Sequence, residues 1–254
     1  MSHRIGCCFL GLIPGGSVSE VLAVIGARSG SRGLPGKNVR LLAGRPLLSY
    51  PIEIATRCRH VTRVILSTDS PEYAAIGREY GAETPFLRPA ELAADTSLVS
   101  EYVRHAVRWV REVEGYRPAQ VVCLMPTTPL VRSADVDRCI ELLAADDTAD
   151  SVIAMTPAKE HPRKAVKLAP DGLHVVSYVT ERGPDVAPSN RQGYAEAFNR
   201  QGLPVVSRVS SFELTGSQTG EKILFHLIPQ ETALDVDGDW DFRLIELLLQ
   251  HSAL

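Results

Sequence analysis

Four short, nearly continuous apolar runs set the strongest limit on the fold. They are Val21–Gly26, Arg63–Thr68, Gln120–Met125 and Ser151–Met155. A strand without polar alternation is buried on both faces, the condition of a central strand in a parallel sheet. Helical signals fill the gaps. Pro46 can open a helix with Leu47, Leu48, Ile52 and Ile54 on its packed face, and Pro71 starts another that stops near Gly81. Val99, Val103, Ala106, Val107 and Val110 form a helical stripe, and Ser133 is placed to cap a helix running to Ala145. This alternation predicts an α/β fold with a doubly wound, mostly parallel sheet, and it puts function on the loops that leave the carboxyl ends of the strands.

The pattern changes from Thr156 to about Phe212, where prolines and glycines punctuate short alternating pieces such as Leu173–Val176 and Pro204–Ser207. The spacing predicts an inserted β-rich arm at about 156–212. Lys222–Ile228 restores a strand, and Trp240, Leu244, Leu247 and Leu248 give a closing helix its apolar face. Residues 1–19 read as a tail ahead of a main domain at 20–254. Their apolar run Ile5–Ile13 follows His3-Arg4 but is short, lacks a small-residue cleavage site and is broken by Pro14-Gly15-Gly16.

With 254 residues, one large domain carrying an insertion is expected. The five cysteines contain no C-x-x-C pair, so neither a disulfide framework nor a zinc cage is indicated, and a reducing cytoplasmic setting fits. A net charge of -3 argues against a nucleic-acid partner. No stretch has the length of a membrane-spanning helix.

Chemistry concentrates in Ala27–Asn38 (ARSGSRGLPGKN), directly after the first run, where three glycines and three cations share twelve positions. Glycines let backbone N–H groups approach phosphate oxygens, while Arg and Lys neutralise the charge that shifts when a phosphoanhydride breaks. A Walker A loop ending at Gly36-Lys37 would need glycine at 31 and Ser or Thr at 38, where Ser31 and Asn38 stand. The plain alternative is a basic surface turn.

This loop resembles the signature of the N-acylneuraminate cytidylyltransferases, also called CMP-sialic acid synthetases. Further matches follow in order: Ser67-Thr68-Asp69, then Leu87–Ala93 before Asp95-Thr96, then Pro126–Leu130, so that the likeness spans about residues 21–250. The resemblance implies a Rossmann-like nucleotidyltransferase fold and transfer of CMP from CTP to a sugar acid, with release of pyrophosphate. It puts Ala27, Arg28, Ser31, Arg32, Gly33, Lys37 and Asn38 on the triphosphate or ribose, and Arg88, Asp95 and Thr96 near the base. Arg28 and Lys37 take the catalytic role of stabilising charge on phosphate.

Leu234–Asp239 (LDVDGD) resembles the family's metal-binding D-x-D. Two carboxylates one residue apart on extended backbone point to the same side, so Asp235 and Asp237 become the ligands of Mg²⁺ and complete the catalytic set. An EF-hand reading fails for want of glycine at the sixth position, which is Trp240, whereas acidic residues at a helix start account for Asp239 and Asp241.

On the sugar side, Thr127 and Thr128 offer uncharged hydroxyls, and Lys164 in His161-Pro162-Arg163-Lys164 matches a family lysine that faces the sugar acid, in some members across a dimer interface. The resemblance weakens nearby. Met125 replaces the family's glutamine, and Asn199 and Gln201 stand where it has an arginine and an asparagine. These substrate-side departures imply an acceptor other than ordinary sialic acid. A homodimer formed through the arm is expected. Three other readings stay open: a GTP-using relative, a metal-dependent glycosyltransferase, and a nucleotide-binding regulatory module without turnover.

Overall fold

A computed structural model describes residues 20–30, 34–179 and 195–251, the side chains of 201–203 excepted. The expected tail at 1–19 lies outside the described residues, as do Ser31, Arg32 and Gly33 and the side chain of Gln201.

Strand β1 (Val21–Gly26) is followed by a hairpin of two short strands, β2 (Leu41–Leu42) and β3 (Arg45–Pro46), and by helix α1 (Ser49–Arg57). Then come β4 (Arg63–Ser67), α2 (Pro71–Glu79), α3 (Val99–Val113), β5 (Gln120–Leu124), α4 (Ser133–Ala145) and β6 (Ser151–Pro157). After β6 the chain runs through β7 (Val166–Leu168), β8 (Val175–Ser177), β9 (Phe198–Arg208), α5 (Val209–Thr215), β10 (Ile223–Leu227) and α6 (Asp239–His251).

The central sheet has the order β10-β6-β9-β5-β1-β4. β1 runs parallel to β4 and β5, and β10 parallel to β6, whereas β9 is antiparallel to both β5 and β6. This is the doubly wound, mostly parallel α/β sheet that the apolar runs require. Side chains on β1 alternate between two cores. Val21, Ala23 and Ile25 pack with Ile52, Tyr73 and Ile140 of α1, α2 and α4, while Leu22 and Val24 pack with Tyr102, Val103 and Phe212 of α3 and α5. A strand covered by helices on both faces has no polar side, which is why the run lacks alternation.

Three local expectations are corrected. Pro46 does not open a helix: Ala43 (φ 46) and Gly44 (φ 81) make a tight turn between β2 and β3, and α1 starts at Ser49. Pro51 then falls in the first turn, where a missing N–H costs nothing. Ser133 does not cap α4; Arg132 holds that position without a side-chain cap, and Ser133 is the first helical residue. Finally, the segment 156–212 is divided. β7 and β8 form their own two-stranded sheet, but β9 returns to the middle of the central sheet, where Val205 and Val206 are buried.

A third core, made by Leu34, Leu42, Leu47, Tyr50, Leu130, Val236, Phe242 and Ile245, seats α6 on the chain between β1 and α1. Glu246 accepts the Ala43 N–H at 3.0 Å, Arg40 pairs with Asp239, and the Arg40 guanidinium lies 4.5 Å from the Phe242 ring centroid. The segment that leads into α6 is thereby held against the loop that follows β1.

Candidate active site

β1 is flanked by β4 on one side and β5 on the other, so the strand order reverses there. A doubly wound sheet offers a crevice at the carboxyl ends of its strands at such a point. Here it is a cleft of about 260 Å³. Gly26 and Arg28 line it from the end of β1, Lys37 and Asn38 from the following turn, and Met125, Pro126 and Thr127 from the end of β5. Arg88, Leu92, Ala94, Asp95 and Ser97 come from the segment between α2 and α3, and Val99 and Tyr102 from α3 itself.

Local chemistry explains how each group is held. A Cβ on Gly26 would stand 2.8 Å from Tyr102 Cε2 and closer still to Cζ, so only glycine lets α3 press on the end of β1. Asp69, at the end of β4, accepts from Ser29 N at 2.8 Å and from Ser29 Oγ at 2.7 Å. Burial alone would raise the Asp69 carboxyl, but the Ser29 bonds outweigh it and hold its pKa below the usual carboxylate range. Asn38 is buried and its Nδ2 donates to Arg28 O at 2.9 Å, which pins the two ends of the loop together.

Arg88 lies on the cleft floor, only 5% exposed. Its Nε donates to Ser67 Oγ at 3.0 Å, Nη2 donates to Ser67 O, and the guanidinium stacks 4.2 Å from the Tyr102 ring centroid. Burial lowers its pKa, against the support of Tyr102 and Asp69. Arg28 Nη2 pairs with Asp95 Oδ1 at 2.8 Å at the more open side.

The acidic pair reaches the same cleft. Lys37 Nζ donates to Val236 O at 2.7 Å, the carbonyl between Asp235 and Asp237, and Val236 N donates to Thr127 O at 2.8 Å. Asp235 is exposed as a residue, yet its carboxyl is partly buried among Thr127, Lys37 and Asp237. That burial raises its pKa; Thr127 and Lys37 oppose the shift, and Asp237 adds to it by like-charge repulsion. The Thr127 hydroxyl is buried beside Asp235 without a hydrogen bond of good geometry. Asp237 N and Gly238 N both donate to Asp241 Oδ2, at 3.1 and 2.9 Å, so Asp241 caps α6 and is not part of the pair.

Could this pair hold Mg²⁺? Among the described residues no group of three or more His, Cys, Asp or Glu side chains converges as a metal site. Two carboxylates one residue apart offer oxygen donors that suit a hard cation taking its remaining ligands from water and substrate phosphate. The residues fit such an ion.

The structure thus gathers Arg28, Lys37, Asn38, Arg88, Asp95, Met125 and Thr127 around one cleft, with Asp235 and Asp237 at its rim. Other expected site residues are corrected. Ala27 is fully buried and its N–H is already given to Ser67 O at 3.0 Å. Thr128 is buried and its hydroxyl donates back to Met125 O at 3.4 Å, so it shapes the turn instead of meeting a ligand. Thr96 is exposed and is not among the cleft-lining residues. Lys164 lines a separate cavity beside Phe198 and Leu227 and pairs with Glu160 at 3.2 Å, and Asn199 is exposed on β9 opposite Thr156. In a single chain these two residues do not join the cleft. Sequence reasoning had no role for Tyr102 or Gly26. An aromatic on an amphipathic helix reads as core, which Tyr102 also is.

The family model described as Cytidylyltransferase matches residues 22–208. The N-acylneuraminate cytidylyltransferase of Escherichia coli is 30% identical over 226 residues, covering 89% of this chain and 51% of that protein. The post-translational flagellin modification protein B of Campylobacter coli is 27% identical over 237 residues, 93% of this chain and 98% of that one. The CMP-N,N'-diacetyllegionaminic acid synthase of Legionella pneumophila is 36% identical over 143 residues, 56% of this chain and 60% of that protein. The chain therefore spans about half the length of the first of these relatives and nearly all of the second.

Among solved structures, a CMP:2-keto-3-deoxy-manno-octonic acid synthetase complexed with CTP aligns with TM-score 0.63 at 17% identity, covering 91% of this chain and 99% of its own. The 4-diphosphocytidyl-2C-methyl-D-erythritol synthase of Anaerococcus prevotii gives TM-score 0.63 at 14% identity, over 92% and 100%. At such identities these two speak for the fold alone. The match of the family model over most of the chain, on a sheet whose switch point carries the cationic loop and the acidic pair, shows that the chain belongs to the cytidylyltransferase family of nucleotidyltransferase enzymes.

Proposed function

We propose that this protein transfers CMP from CTP to a sialic-acid-like sugar acid, releases pyrophosphate, and requires Mg²⁺. One observation carries the reading: the Lys37 ammonium bridges from the loop after β1 to the carbonyl between Asp235 and Asp237, so cations and acids share one cleft. The sugar-acid acceptor is supported by the names of the relatives, an N-acylneuraminate cytidylyltransferase and a CMP-N,N'-diacetyllegionaminic acid synthase.

In this mechanism the polyphosphate lies along the Arg28–Asn38 loop. Arg28 and Lys37 neutralise charge that moves onto the departing pyrophosphate, and the Asp69–Ser29 bonds keep that loop from yielding as it does so. Asp235 and Asp237 would hold Mg²⁺, which when bound would supply Lewis-acid neutralisation of phosphate oxygens. Arg88 and Tyr102 form a rigid floor on the nucleotide side. Met125 and Thr127 line the acceptor side of the cleft from the end of β5. Met125 can offer no hydrogen-bond donor, which favours an acceptor with an apolar group at that point.

A panel of α-keto sugar acids incubated with Mg²⁺ and either CTP or GTP, with pyrophosphate release followed, tests the proposal. Pyrophosphate that appears with CTP and one acceptor, and stops on chelation of the metal, supports it. Turnover with GTP alone, or none with any acceptor, sinks it. We also propose a homodimer, supported by an exposed apolar face on β10.

A further inference from the structure

Arg28 and Asp95 face each other at the open side of the cleft, and each keeps about a third of its side chain exposed, 32% and 31%. Asp95 belongs to the short loop between the turn Ala90–Leu92 and α3. Ser97 Oγ donates to Glu91 O at 2.8 Å and Ser97 N to Ala94 O at 3.1 Å within that loop, and Leu98 N donates to Glu101 Oε2 of α3 at 2.8 Å. Ala94, Asp95 and Ser97 form the wall of the cleft next to Arg28.

A carboxylate and a phosphate dock on a guanidinium through the same N–H fork. Both cannot hold one N–H in good geometry, and a carboxylate left beside a polyphosphate is repelled by it. The geometry points to Asp95 as a built-in phosphate surrogate: a positioning residue that keeps the Arg28 guanidinium aimed into the cleft and is displaced when a polyphosphate arrives. It thereby lowers the affinity of the cleft for CTP phosphates and for pyrophosphate alike, which eases release of the product. An exposed ion pair is weak enough to be exchanged in this way without a large barrier. The inference rests on the proposed reading that Arg28 meets phosphate, and it assigns Asp95 a role opposite to direct nucleotide recognition.

The test uses the full chain as wild type, Asp95→Asn, Arg28→Ala and the double variant, titrated calorimetrically with inorganic pyrophosphate and separately with CTP, with thermal unfolding as the check on folding. Asp95→Asn is expected to tighten both ligands about two- to fivefold, the range of an exposed ion pair, and the gain is expected to fade as salt rises. In the Arg28→Ala background the same substitution is expected to gain less, because its pair with Arg28 is already broken. Pyrophosphate bound no more tightly by Asp95→Asn than by wild type overturns the proposal, whether or not either binds. So does a gain that is equally large without Arg28. If Asp95 instead reads the base or ribose, CTP weakens and pyrophosphate is unmoved, which also overturns it. A wild-type protein that binds pyrophosphate but not CTP would count against the cytidylyl reading alone and leave the Asp95 comparison intact.

Discussion

Asp235 is held in an environment that works against its own charge, which makes it the residue where stability and function pull apart. Burial and the neighbouring Asp237 raise its pKa in the folded protein. Between the ordinary aspartate value and the raised one, the folded state binds more protons than the unfolded state, so this residue's contribution to stability falls as pH rises through that window. Asp235→Asn removes the effect. The variant is expected to melt above wild type at neutral pH, the gap closing in acid where both side chains are neutral, while Mg²⁺-dependent turnover drops by about 10²- to 10³-fold. Melting curves at several pH values and a pyrophosphate assay check both halves. Gly26 gives a prediction of the opposite kind. Its missing Cβ is what admits the Tyr102 ring, so Gly26→Ala overpacks the junction and is expected to destabilise the protein by about 1–3 kcal/mol, read from chemical denaturation. Neither constraint was visible in the sequence, where Gly26 reads as the end of a strand and Tyr102 lies beside a helical stripe. By contrast Arg28, Lys37 and Asp235 were legible as candidate site residues, because charges crowded into a glycine-rich loop and a D-x-D have few structural uses.

At the scale of elements, the loop after β1 is positioned by a neighbouring strand end as well as by its own residues. Asp69 from the end of β4 holds Ser29 by two bonds, and Asn38 closes the loop onto Arg28 O. The Asp69 pKa is depressed in the folded state, so its contribution is present above the ordinary aspartate pKa and is lost as pH falls through the lowered value. Asp69→Asn can still accept from Ser29 N, but it loses the charge and one acceptor for the hydroxyl. The expected outcome is a KM for CTP about tenfold higher with a smaller change in kcat, the size of hydrogen bonds to a charged group discounted for exposure. Faster amide exchange at Arg28–Gly30 is the accompanying signature; unchanged exchange there would show that the loop does not depend on Asp69. The apolar periodicity made the helices and parallel strands legible, since burial on both faces leaves a plain mark on a strand. It did not reveal that Pro204–Ser207 belongs to the central sheet. Strand order is set by long-range pairing, and β9 reaches its place between β5 and β6 only after the excursion through β7 and β8. The turn at Ala43-Gly44 was hidden for a different reason: Ala43 adopts a positive φ that its side chain does not advertise.

For the whole molecule, the sheet is covered unevenly. Leu224 of β10 packs into the core beneath α4, and His226 Nε2 lies 2.9 Å from Asp135 on that helix, but the opposite face of the strand is bare. There Ile223, Phe225 and Leu227 are 42%, 54% and 45% exposed, and Phe225 meets Phe198 of β9 at 6.3 Å between ring centroids. β10 is also an edge strand. An apolar stripe on a sheet edge is a liability for a lone chain and is characteristic of a surface that a partner covers. The cavity containing Lys164 adjoins the same stripe at Phe198 and Leu227, so a second copy docked here would cover the residues that stand apart from the cleft in a single chain. Phe225→Asp places a charge in the middle of the stripe. Because Phe225 is more than half exposed, the substitution is expected to leave the melting of the isolated fold nearly unchanged while shifting the light-scattering mass from that of two chains to one. If the proposed dimer brings the arm of one chain to the cleft of the other, sugar-acid KM rises in the variant while CTP affinity holds. A wild-type mass of one chain at micromolar concentration would remove the dimer from the account, and Lys164 with it, but would leave the cleft and its chemistry where they are.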